Sequence, residues 1–330
     1  MGNPPVTIVV VPREQFGRAP TALERIYAAT SSPFELVYVD GNSPPPLRRH
    51  LAQQAELRGF TLVRTDHYLT SNEARNLGLQ RARTPYVAFL DNDVVPEPGW
   101  LDALLACAEE TGAWVVGPVV HLDQGAERVV HYGGAAIRIV DEAGVRRFSY
   151  TPQIINVPLS RAPVLRRARC DLVKFYGILV RRDTFDRVGP FDEGIRTVFE
   201  PADFALAVQK AGGEVYLEPS AVVTHTLPPP LPTADLPLFL LRWSNVWLRS
   251  SVRHFVRKHG LRLDDPGVRD HWRWRSFHRR RAFPPALWRL LCAPGFVYPA
   301  KVVDRILFDG LLEYALVRPV DRRRPSLGAA

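Results

Sequence analysis

Two aspartates separated by one residue, Asp91 and Asp93, close an apolar run that begins at Tyr86. Like charges this near raise each other's pKa unless a cation compensates. A divalent ion does so, and carboxylate oxygens suit hard ions such as Mg2+ or Mn2+. Such an ion also bridges diphosphate oxygens and neutralises a phosphate leaving group. The plainer alternative is a solvated Asp-x-Asp turn in which Asp93 caps the next segment. Asp40 ends a second apolar run, from Phe34, where it can accept hydrogen bonds from a base or ribose, or turn the chain into Gly41. Arg75 and Asn76 precede the Asp-x-Asp run. Arg75 can meet a diphosphate or a uracil carbonyl and Asn76 can pin a loop; a solvated helix face would look the same. His225 comes after "SAVVT" and precedes prolines. A neutral imidazole there can complete a metal shell or pack structurally.

These groups act together only if a scaffold gathers them. "VTIVVVP" (6–12) is a short β-branched run without alternation, as expected of a strand covered on both faces. Strands are expected next at 34–40, 60–66, 86–91 and 113–120, separated by helical stretches at 20–30, 47–59, 70–83 and 99–111. The third helix has Thr70 as N-cap and Glu73 near its third position. Alternating strands and helices predict an α/β fold with a doubly wound, mainly parallel sheet. Ligands bind such sheets outside the carboxyl ends of the strands, where Asp40 and Asp91 fall. Residues 121–170 read as an excursion of short strands and loops. A strand and helix resume from Cys170, then a helix and strand from Pro201 to Pro219, and prolines after Thr226 end the compact part. From Leu236 the chain reads as helices rich in Arg and Trp.

The composition is ordinary for a globular chain of 330 residues, 46% hydrophobic and 23% charged. Three widely spaced cysteines, Cys107, Cys170 and Cys292, form neither a metal-ligand spacing nor a disulfide framework, and so predict a reducing compartment. The N-terminus has no signal-peptide pattern, and no apolar run reaches the ~18 residues of a membrane span. A cytoplasmic location is the simplest expectation. The net charge is +9, yet residues 242–330 alone hold 19 basic against 7 acidic groups. The excess positive charge is therefore confined to the C-terminal quarter.

"VTIVVVP", "FELVYVDGNS", "SNEARNLGLQRARTPYVAFLDNDVVPEPGWL", "VRRDTFDRVGPFDE", "FEPADFALAVQKAGGEVYLEP" and "VVTH" together resemble family 2 glycosyltransferases of the GT-A fold, over roughly residues 5–226. The resemblance implies transfer of a sugar from a nucleoside-diphosphate sugar (UDP-, dTDP- or GDP-linked) to a hydroxyl of a saccharide or lipid-linked acceptor, usually with inversion. It implies that Pro12, Arg13, Glu14 and Asp40 contact the nucleoside, that Arg75 approaches the base or diphosphate, and that Asp91 and Asn92 lie at the donor. Asp91, Asp93 and His225 would hold Mn2+ or Mg2+, with Asp93 the main ligand.

One departure concerns the base that deprotonates the acceptor. The family often carries an acidic pair, one further residue and an Asp; this chain has Glu200, Pro201, Ala202 and Asp203. Proline is tolerated in a first helical turn, so Glu200 or Asp203 remains as base. The alternative is that Glu200 caps the helix and Asp203 favours its positive end. Arg13 stands where a small polar residue is common, and "DGNS" departs from the usual order after the second-strand Asp. Loss of the paired acid also fits a non-catalytic nucleotide-sugar-binding module. A nucleotidyltransferase would need a glycine-rich phosphate loop after the first strand, which "VPREQFGRAP" lacks.

Two regions are expected: residues 1–230, catalytic, and 231–330, a basic, Trp-rich helical extension. In "LRWSNVWLRSSVRHFVRKHG" and "HWRWRSFHRRRAFPPALWRLLCAPGFVYPAKVV", basic and aromatic residues recur near each other. They suit a membrane surface with anionic headgroups, and a peripheral position at the inner face of the membrane, or simply a helical extension packed on the catalytic part. No nucleic-acid-binding motif accompanies them.

Overall fold

The computed structural model describes residues 5–123, 127–226, 231–269, 278–279 and 305–322. Thirteen strands and eight α-helices are labelled in chain order. The first half alternates as the sequence predicts: β1 (Val6–Val11), α1 (Ala19–Ala29), β2 (Phe34–Gly41), α2 (Pro45–Arg58), β3 (Thr61–Thr65), α3 (Ser71–Leu79), β4 (Tyr86–Asp91), β5 (Val94–Pro96), α4 (Trp100–Thr111) and β6 (Val115–Asp123). β3, β2, β1 and β4 are adjacent and parallel. All six β1 residues are buried, which explains why the strand shows no alternation of apolar and polar residues.

α3 has the capping box anticipated from Thr70 and Glu73, each side chain bonding the other's backbone N–H. Its Gly78 faces β1 so closely that an added Cβ would lie 2.1 Å from Cγ1 of Val9. Only glycine permits that approach, which seats Arg75, one turn earlier, against the end of β4.

The excursion is a set of antiparallel strands: β7 (Arg128–Tyr132), β8 (Ala135–Glu142), β9 (Val145–Pro152), β10 (Ile155–Pro158) and β11 (Ala168–Cys170). β8 and β9 form a separate two-stranded hairpin. β12 (Gly177–Arg181) then enters antiparallel between β4 and β6. A strand late in the chain thus separates two early ones. Next come α5 (Thr184–Val188), α6 (Glu200–Lys210) and β13 (Val215–Thr226). β13 runs parallel to β6, and its last residues pair antiparallel with β5, setting His225 opposite Val94. The whole is an α/β fold around one eleven-stranded, mixed sheet with a parallel half, covered by an apolar cluster on each face.

The helical C-terminal region is present in α7 (Leu236–Arg242), α8 (Asn245–His259), a π-helix over Arg305–Val317 and a helical turn at Arg318–Arg322. Trp243 and Trp247 are buried with Phe239 and Val317 in a third cluster. These two tryptophans are therefore packing residues, the plainer of the two expectations. Much of the second Arg/Trp segment, including Trp272, Trp274 and Trp288, lies outside the described residues. Among the described residues no helix is long and apolar enough to cross a membrane.

Candidate active site

β4 ends at Asp91, and the chain turns through Asn92 and Asp93 into β5. Asn92 ties this turn to the loop after β1. Its side-chain oxygen accepts from the Arg13 N–H at 3.3 Å, and its Nδ2 donates to the Gln15 carbonyl at 2.8 Å. Asp93 is fully buried, its backbone carbonyl held by the N–H and hydroxyl of Thr226 at 3.1 and 3.0 Å. The pairing of β13 with β5 thereby brings His225 Nε2 to 3.4 Å from Asp93 Oδ2.

Glu14, Asp93 and His225, all buried, each offer a ligand atom within 4.8 Å of the others. Trp243 Nε1 donates to Glu14 Oε2 at 3.0 Å, orienting that carboxylate. Asp93 Oδ1 is buried with no hydrogen-bond partner. A buried charged oxygen without a partner is costly, and a cation is the partner that this donor set fits. The mixed oxygen and nitrogen donors differ from the all-oxygen shell usual for Mg2+. Burial opposes the negative charge on Asp93, but His225 and Arg13 outweigh it and hold its pKa below the usual carboxylate range.

Asp91 has different company. Its Oδ1 accepts from Arg75 at 3.0 Å, and its Oδ2 lies 3.4 Å from Arg13 Nε. The structure thus brings Asp93 and His225 together with Glu14, and gives Asp91 two arginines. Burial opposes the charge on Arg13, yet Tyr176, Asp91, Glu14 and Asp93 keep it firmly protonated. Its guanidinium lies 4.3 Å from the Tyr176 ring centroid and donates to the Tyr176 hydroxyl at 3.1 Å. Asp40, at the end of β2, accepts from the Ser43 N–H at 2.8 Å, from its hydroxyl at 2.9 Å, and from Arg64. Pro12 is buried at the end of β1. Asn76 donates to the Phe191 carbonyl and to Glu193, both at 2.8 Å, and so pins the loop after α5.

Beside these groups opens a cleft with a cavity volume of about 130 Å³. Its lining includes Asp91 with its partners Arg13 and Arg75, together with Lys174, Glu200, Pro201, Arg242 and Trp243. Glu200 is the first residue of α6, and its carboxylate accepts from Arg242 at 3.3 Å. Arg242 also donates to the Ser71 hydroxyl at 2.9 Å. The approach to α6 is strained: Val198, a β-branched residue, has φ 68°. Asp203, one turn further along α6, is outside the cleft lining and bonds Lys258 and His259, both at 2.8 Å. Burial drives the Lys174 pKa down to about 7, with Arg13 adding to the effect. Burial likewise drives His131, near Lys174 and Arg13, down to about 3.

Tyr176, Lys174, Arg242 and Trp243 are members of the site that sequence reasoning did not select. The first two lie in "VKFYG" just before β12, and the Arg-Trp pair ends α7. The adjacency of a charged and an aromatic residue at the end of an apolar helix is the only local signal they carry.

Residues 7–161 match the family model described as Glycosyl transferase family 2. A pre-mycofactocin glycosyltransferase of Mycobacterium tuberculosis (strain ATCC 25618 / H37Rv) is 33% identical over 153 residues, which cover 46% of this chain and 29% of that protein. The succinoglycan biosynthesis protein ExoO of Rhizobium meliloti (strain 1021) is 28% identical over 218 residues, 66% of this chain and 59% of the relative. The chain therefore spans less than a third of the first relative's length and about three-fifths of the second's. Among solved structures, GalNAc-T7 with UDP, GalNAc and Mn2+ superposes with a TM-score of 0.55 at 15% identity, over 87% of this chain and 57% of that one. That likeness is one of fold, and the fold is of the GT-A type.

Proposed function

From the match of residues 7–161 to glycosyl transferase family 2, we propose that the chain moves a sugar from a nucleoside-diphosphate sugar to an acceptor hydroxyl, with a divalent metal and inversion at the anomeric carbon. The observation that carries this reading is the buried, unpartnered Asp93 Oδ1 within reach of Glu14 and His225, beside a cleft that contains a further carboxylate, Glu200.

Glu14, Asp93 and His225 would hold Mn2+ or Mg2+. When bound, the ion supplies positive charge against the diphosphate of the departing nucleotide. Arg13 and Arg75 add fixed positive charge to the cleft lining, kept in place by Asp91. Asp40, Pro12 and Asn92 shape the edge that takes the nucleoside. Glu200 faces the cleft and takes the proton of the attacking hydroxyl. Arg242 holds its carboxylate in position. Asp203 is engaged by Lys258 and His259 and serves to fix α8 on α6. The donor is a UDP-, dTDP- or GDP-sugar and the acceptor a saccharide or a lipid-linked saccharide. The catalytic part is residues 1–230, completed by Arg242 and Trp243 from the helical C-terminal region.

A second reading, donor binding without transfer, draws on the same Glu200–Arg242 ion pair, which quenches a base if it persists with acceptor bound. A thermal-shift panel of nucleotide sugars with and without Mn2+, then a donor-consumption assay with saccharide and lipid-linked acceptors, tests both. One donor should stabilise the protein, more so with Mn2+; a ligand at 100 times its Kd adds about 2.7 kcal/mol. No shift with any donor overturns the proposal, and binding without transfer selects the second reading.

A further inference from the structure

Two consecutive residues at the end of α7 reach the two carboxylates that the proposed chemistry uses. Arg242 donates to Glu200 at 3.3 Å, and Trp243 Nε1 donates to Glu14 Oε2 at 3.0 Å. One short piece of backbone therefore sets where both donors stand, and whatever holds that backbone bears on the site.

Two further consecutive residues, His278 and Arg279, grip Trp243. The His278 ring stacks on the indole, with centroids 4.0 Å apart and planes within 4° of parallel. Arg279 Nε donates to the Trp243 carbonyl at 2.6 Å. Arg279 is only 2% exposed, and its other nitrogens meet the π-helix: Nη1 lies 2.5 Å from Asp309 and Nη2 3.7 Å from Glu313. Glu313 in turn accepts from the N–H groups of Asn245 and Val246 at 3.0 and 2.9 Å, capping the start of α8. Stability alone does not account for this guanidinium. Trp243 packs in an apolar cluster with Phe239 and Val317. A buried charge there carries a desolvation cost, and a well-packed apolar side chain often serves stability as well or better. What an apolar side chain cannot do is donate to the Trp243 carbonyl while facing two carboxylates; the five-donor fork of arginine can.

We propose that Arg279 is a positioning residue for Glu14: it ties the Trp243 backbone to the π-helix, and the indole N–H then sets the Glu14 carboxylate within reach of Asp93 and His225. The inference rests on the reading of Glu14 as a metal ligand. Asp309 and Glu313 hold Arg279 in its turn, so a helix far outside the residues that match the family reaches the metal site through one carbonyl. Arg279 itself touches none of the three ligands; it acts through Trp243 alone.

The test is titration of the full chain with Mn2+ alone, followed by loss of the free-ion electron paramagnetic resonance signal. Glu14→Gln should lose binding. W243F, which keeps an aromatic ring but not the N–H, should bind about 10- to 100-fold more weakly, the usual range for removing an outer-shell partner of a ligand. R279Q should weaken binding about tenfold. The double variant W243F/R279Q should lose no more than W243F, because the arginine acts through the indole. A merely structural role would lower the melting temperature and leave the Mn2+ affinity of the folded protein unchanged. R279K keeps the charge without the fork and should also bind Mn2+ more weakly; it carries the test if R279Q does not fold. If the parent takes up no Mn2+, or Glu14→Gln binds as well as the parent, the metal reading falls and this inference with it. If Glu14→Gln loses binding while W243F or the Arg279 variants bind like the parent, the positioning role alone is overturned. A double variant that loses the product of the two single effects overturns it as well.

Discussion

His225 Nε2 stands 3.4 Å from Asp93 Oδ2, although Asp93 lies in the turn between β4 and β5 and His225 near the end of β13, far along the chain. The contact exists because β13 doubles back onto the short strand β5, so that its backbone pairing, rather than a flexible loop, fixes the imidazole. The backbone pairing alone therefore sets the spacing of these two side chains.

Replacing Asp93 by Ala should remove the effect of Mn2+ on donor-induced stabilisation and lower turnover by at least about 100-fold. Circular dichroism should show the sheet intact. Turnover equal to the parent's with the same Mn2+ dependence would rule out Asp93 as a ligand.

Glu200→Gln preserves shape and removes the proposed base. Turnover should fall by roughly 10²–10⁴-fold, the usual range for loss of a positioned general base, with donor affinity nearly unchanged. Steady-state rates beside calorimetric donor binding check this. Unchanged turnover would place the base elsewhere.

Lys174 gives a pH signature. Its folded pKa, lowered by burial to about 7, is below the ordinary lysine value of 10.5 that the unfolded chain approaches. Between these values the unfolded state binds more protons, so stability rises with pH from about 7 towards 10.5. Lys174→Met should lose this rise. Melting temperatures of parent and variant across roughly pH 6 to 10 are the measurement, and parallel curves would refute it.

Gly78→Ala should destabilise the protein by about 1–3 kcal/mol, the usual cost of overpacking, because the new Cβ would meet Val9 in a buried strand. Retreat of α3 would also draw Arg75 from Asp91, so donor affinity should fall with stability. Denaturant unfolding with donor titration checks both. A variant as stable as the parent would mean that α3 is free to shift.

The parallel half of the fold was legible because each of its elements declares itself locally: β1 by its β-branched run, α3 by Thr70 and Glu73, the end of β4 by the abrupt change from Leu90 to Asp91. The site was legible to the extent that its residues end strands. Asp91, Asp93 just after it, and His225 at the close of β13 stand out for that reason, whereas Glu14 sits in a loop and shows its relation to them only when β13 returns. The position of β12 was not legible, since nothing in "GILVR" says that it runs against β4 or separates it from β6. Arg242 and Trp243 looked like part of a basic tail. Their partners, Glu200 and Glu14, are distant in sequence, and such pairings arise from tertiary packing alone.

The insertion of β12 between β4 and β6 also sets a timetable. As the chain leaves the ribosome, the strand bearing Asp91 must wait, one edge bare, until nearly ninety further residues have been made. A fragment cut at residue 161, where the family match stops, would keep that edge open and offer its backbone groups to other chains. The edge of the strand that carries Asp91 is thus closed only after more than half of the 330 residues have been made.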